Sequence, residues 1–153
     1  MGLIAGLSGC EGSAPTKSDI EKAVDESLTQ YAREKFAFKS FNQTSSKKGR
    51  EGAVDVTYYT GNATITAKVD GIIGSADYHG DGTRHSWNKY PQSFMSQIDL
   101  AKQDDAIKQT WSAGHPVKAG TEIEVTNVTI GCWSGKAEGE TESRWHCDRP
   151  KND

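Results

Sequence analysis

Apolar residues recur every third or fourth position in one early stretch and every second position in several later ones, so the chain divides into helix and strand by period alone. Ile20, Val24, Leu28 and Tyr31 fall on one stripe flanked by Ala23 and Ala32, which predicts a one-sided helix over 17–36. Ser18-Asp19-Ile20-Glu21 has the pattern of a capping box, and Arg33 and Lys35 suit the negative end of the helix dipole. The run NQTSSKKGREG in 37–52 has no apolar period and reads as an exposed loop. In AVDVTYYTGNATITAKVDG, Val54, Val56 and Tyr58 alternate with Asp55, Thr57 and Tyr59. Gly61-Asn62 then looks like a hairpin turn that would pair Tyr58 with Ile65, Val56 with Ala67 and Val54 with Val69. That fold sets Tyr59 on the face opposite the apolar one.

Farther on, a glycine-rich connection contains a short strand near Ile72-Ile73. Phe94, Ile98, Ala101, Ile107 and Trp111 predict a helix within 92–112, although Asp104-Asp105 interrupts the stripe. TEIEVTNVTI alternates except for a slip of one residue at Thr126-Asn127, the mark of a bulge. A last strand is expected over 143–147. The sum is an α+β fold: an N-terminal helix packed on a mostly antiparallel β-sheet, in one small domain over 17–150 with a tail at 151–153.

Composition narrows the function classes. Of 153 residues, 34% are hydrophobic and 25% charged, so the core is thin for a chain of this length. The net charge of −3 comes from interspersed signs, which excludes a global field for nucleic acid. Lys47, Lys48 and Arg50 form the one basic cluster, which reads as a solvated loop and not as a binding patch.

Before Glu11 there is no charge, and the apolar segment from Leu3 to Ser8 is far short of the roughly 20 residues that span a bilayer. Leu7-Ser8-Gly9-Cys10 resembles the lipobox of bacterial lipoproteins, although a basic start and a longer apolar run are missing. The resemblance implies a signal segment over 1–9 and lipid attachment, palmitate included, at Cys10. It also implies a tether over 10–16 and a location in the cell envelope, held to membrane lipid and facing the periplasm or exterior. Two or more acyl chains anchor stably where one does not. Export implies an oxidising compartment, in which the other two cysteines, Cys132 and Cys147, are expected to bridge. A hairpin turning near Gly139 brings them opposite each other, and their spacing suits no zinc site.

Catalytic signatures are scarce. His79, Asp81 and His85 concentrate potential divalent-metal ligands in a glycine-rich loop, but Asp81-Gly82 is also an ordinary turn. There is no G-x-S-x-G elbow and no phosphate-binding glycine loop. Glu138, Glu140 and the histidines lie in polar stretches and read as solvent-facing. Tyr59, Trp87, Tyr90, Trp133 and Trp145 lie in polar neighbourhoods and read either as contact anchors or as caps on the edges of a thin core. The expected function is a binding domain without catalytic activity, cofactor or metal. It contacts an envelope protein through His79, Asp81, His85, Tyr59 and Trp87. Two alternatives remain: a small periplasmic metal-dependent hydrolase using the 79–85 loop, and an inhibitor or immunity-type protein.

Overall fold

The computed structural model describes residues 14–30, 32–74, 79–80, 85–87 and 93–151. Helix α1 (Lys17–Thr29) buries Ile20, Ala23, Val24 and Leu28, as the stripe requires. Its cap lies two residues upstream of the expected one. The Thr16 hydroxyl accepts from the Asp19 N–H at 3.1 Å, and the Asp19 carboxylate accepts from the Thr16 N–H at 3.1 Å. The helix also stops short of residue 36. Turn bonds from the Lys35 and Phe36 N–H groups to the Ala32 carbonyl redirect the chain. Phe36, 2% exposed, is drawn instead into an edge-on contact with Phe94 at 4.8 Å.

The expected loop at 37–52 is a strand, β1 (Phe36–Glu51), and it turns through Gly52-Ala53 into β2 (Val54–Ala67). Gly52 has φ 63, which a side chain would disfavour. No hairpin forms at Gly61-Asn62, because β2 runs straight through those residues. There Gly61 lets β1 approach: a Cβ on it would lie 2.1 Å from the Asn42 carbonyl oxygen. The inward face of β2 carries Tyr59, Ala63, Ile65 and Ala67, so Tyr59 belongs to the core and not to the outer face. β1 is polar because it forms one end of its sheet, where both faces are largely wet. Two register shifts and three lysines along it discourage pairing with another chain.

β3 (Gly71–Ile73), β4 (His79–Gly80) and β5 (His85–Trp87) follow. The expected helix over 92–112 is three elements: β6 (Phe94–Ser96), α2 (Gln97–Ala101) and α3 (Asp105–Ser112). Ser96 caps α2, and Asp104 caps α3 by accepting from the Ile107 N–H at 3.0 Å. The acidic pair that broke the stripe is therefore a helix start. β7 (His115–Val117), β8 (Glu122–Gly135) and β9 (Arg144–Lys151) complete the chain.

The larger sheet runs β1-β2-β8-β5-β4, with β9 also on β8, and β5 and β8 are its parallel pair. A smaller antiparallel sheet, β6-β3-β7, adds Ile73, Phe94 and Val117 to the same core. The bulge expected in β8 is present. Gly61 pairs with Val128 and Ala63 with Val125, leaving Thr126 and Asn127 opposite Asn62, with Asn127 at φ 56. Cys132 and Cys147 form a disulfide between β8 and β9 with an S–S distance of 2.07 Å. The fold is α+β, a helix on a mostly antiparallel sheet.

Candidate functional site

The β2–β8 ladder ends at the pair Thr57–Cys132, yet β2 begins at Val54 and β8 continues to Gly135. Beyond that pair, β2 stays with β1 and β8 stays with β9, so the tips of two hairpins diverge. An open trough of 840 Å³ lies between them, its walls set by Lys48, Arg50, Asp55, Thr57, Trp133 and Trp145. By register, Lys48, Thr57, Cys132 and Trp145 share the face that carries the core. Trp133, paired with His146, belongs to the opposite face, so the trough opens through the gap between the two hairpin tips and is lined from both faces.

One wall is charged and exposed. The Arg50 Nε lies 3.2 Å from Asp55 Oδ1, and Arg50 Nη2 donates to the Ala53 carbonyl at 3.2 Å. This pair neutralises itself and leaves the exposed Lys48 ammonium as the trough's excess charge.

The other wall is aromatic and braced from behind. Trp133 stacks on His146 with ring centroids 4.3 Å apart and planes 22° apart. His146 is 5% exposed, against the expectation of solvent-facing histidines. Its Nε2 lies 2.8 Å from Glu140 Oε1 and 3.2 Å from the Gly135 carbonyl. Both neighbours are acceptors, so Nε2 carries a proton and donates. Glu140 also accepts from the Ala137 N–H at 2.6 Å and from the Arg144 guanidinium. The Ala137 N–H first, then Arg144 and His146, hold the Glu140 carboxyl below the usual carboxylate range against the opposing effect of burial. This carboxylate ties the β8–β9 turn together instead of facing solvent. With so little of the imidazole accessible, the Glu140–His146 pair positions Trp133 and offers a substrate no open nitrogen. The disulfide then locks Cys132 next to Trp133 and Cys147 next to His146.

Other residues singled out from the sequence are placed differently. Tyr59, 8% exposed, packs in the core, where burial pushes its phenol pKa up, so it offers no surface contact. His79 lies in β4, and His85 and Trp87 in β5, whose backbone pairs with β8. Cys10, Asp81 and Tyr90 lie outside the described residues. Among the described residues, no group of three or more His, Cys, Asp or Glu side chains could hold a metal ion. No helix among them is long and apolar enough to cross a membrane. Trp133 and Trp145 were legible as aromatics of either role, and Trp145 packs against the core, but Glu140 and His146 were missed. The signal lay in the cysteines: a 132–147 bridge sets residue 133 opposite 146, stacking Trp on His. Compared with known proteins, the chain matches no family model, no curated protein and no solved structure.

Proposed function

We propose that this chain is a cell-envelope lipoprotein, anchored through lipid on Cys10, whose domain binds another envelope component at the trough. The observation that supports it most is the disulfide. Bridging Cys132 to Cys147 leaves Cys10, of three cysteines, as the one at the lipidation position of the Leu7-Ser8-Gly9-Cys10 motif. A bridge of this kind suits the oxidising space outside the cytoplasm. Residues 10–16, if extended, reach at most about 24 Å, enough to hold the domain off a bilayer surface. The trough, open and lined by two indoles and charged groups, has the character of a binding surface. The role is adhesion or recognition, with no chemistry assigned to it.

The test is membrane fractionation with intact mass spectrometry. The native protein is expected in the membrane pellet, with a mass showing acyl groups on Cys10 and no residues before it. Cys10→Ala should move to the soluble fraction with the 132–147 bridge intact. Native protein recovered unacylated, or a Cys10→Ala variant that still pellets, would overturn the anchor.

A further inference from the structure

We infer that the trough takes an acidic saccharide, a chain of sugar rings bearing carboxylates. The inference deepens the binding role just proposed and rests on it for the site, but not on the lipid anchor. Trp133 and Trp145 are both half-buried on neighbouring strands; since Trp133 pairs with His146 and Trp145 with Ser134, they line the trough from opposite faces of the sheet, with Trp145 held against the core. Trp133 is fixed further by the stack on His146 and by Gly135, where an added Cβ would come within 3.0 Å of the indole. Rigid aromatic platforms of this kind bury an apolar ring face at little entropic loss. Around them the Thr57 and Ser134 hydroxyls, the Asp55 carboxylate and the Arg50 guanidinium alternate acceptors and donors, as a polyol demands.

Charge selects within that class. Arg50 and Asp55 cancel at 3.2 Å, and Lys48 stands exposed and makes no ion pair among the described residues. One excess cation favours a carboxylate on the ligand. An extended peptide is disfavoured, because it binds through a ladder on a free strand edge. Here the free edges are residues 54–56 of β2 and 133–135 of β8, each shorter than the roughly five or six residues of an ordinary strand. The 840 Å³ volume falls in the range of about 300–1,000 Å³ typical of small-ligand sites, and its open shape lets a longer chain run on.

Isothermal titration of the full chain in mild detergent tests this with three probes: hexagalacturonate, neutral cellohexaose and hexaglutamate. Hexagalacturonate should bind most tightly, and its affinity should fall as salt rises. Lys48→Gln, an exposed change that leaves the fold intact, should weaken hexagalacturonate by about threefold to tenfold and leave cellohexaose unchanged. Trp145→Leu, checked for folding by circular dichroism, should weaken both saccharides by about tenfold or more. Tighter binding of hexaglutamate would overturn the saccharide assignment in favour of an acidic peptide. Silence with both saccharides, or native affinity in Lys48→Gln, would overturn the site. Neither result bears on whether Cys10 is acylated, which fractionation reads separately.

Discussion

Replacing both bridged cysteines, Cys132→Ala with Cys147→Ala, removes the one covalent link across the β8–β9 hairpin. The two are 15 residues apart, so in the chain-entropy model the unfolded chain regains freedom worth about 3 kcal/mol at 25 °C. Cys132 is fully buried, and losing its sulfur leaves a small void worth on the order of 1 kcal/mol more. Domains are stable by about 5–15 kcal/mol in total, so a loss of 3–4 kcal/mol is large. Urea unfolding followed by tryptophan fluorescence measures it. With a slope of about 2 kcal/mol per molar urea, the midpoint should fall by about 1.5–2 M, and reducing the native protein should give nearly the same curve. A shift under about 0.3 M would refute the reasoning. It would mean that the Glu140 contacts to Ala137, Arg144 and His146 already close this hairpin in the unfolded chain, so that the bridge restricts nothing.

Asp99 provides an acid-limb prediction. Lys35 at 2.7 Å, together with the Ser96 hydroxyl and N–H, lowers its pKa to about 2. A depressed carboxylate stabilises the fold above the unfolded pKa near 4 and loses that contribution as pH falls toward 2. The side chain is a third exposed, so screening trims the contribution to roughly 1 kcal/mol. Asp99→Asn should therefore be less stable by that amount at pH 7, with most of the gap gone by pH 2; an equal gap at both values would sink the assignment. Gly61→Ala would drive a methyl into the Asn42 carbonyl at 2.1 Å and the Gln43 backbone at 2.8 Å, with a loss on the order of 3 kcal/mol in thermal or urea unfolding. A loss under about 0.5 kcal/mol would refute the close approach of the two strands.

The candidate site was legible in parts. Trp133 and Trp145 stand out in the sequence as aromatics in polar runs, although Trp145 packs against the core, and the Lys48–Arg50 cluster reads there as a solvated loop. What brings them to one trough is the divergence of two hairpins past Thr57 and Cys132, which no local pattern encodes. Tyr59 shows the opposite error. Alternation taken from the Val54 end turns Tyr59 outward, whereas the core-facing set is keyed to Ala63, Ile65 and Ala67 at the other end of β2.

Local chemistry alone was enough for the buried stripe of α1 from Ile20 to Leu28, though not for its cap or its end, and for the bulge at Thr126-Asn127, where the period itself slips. It was enough as well for the pairing of Cys132 with Cys147, since a polar, glycine-containing segment between two cysteines favours a hairpin. Position in the sheet decided the rest. β1 buries Phe36 and Phe41, half-buries Phe38 and is wet over most of its remaining length, so a strand at a sheet's end has the polarity of a loop until a neighbour supplies its ladder. Gly61 likewise has the composition of a turn and the role of a close approach, because only the packed β1 backbone makes a side chain there impossible.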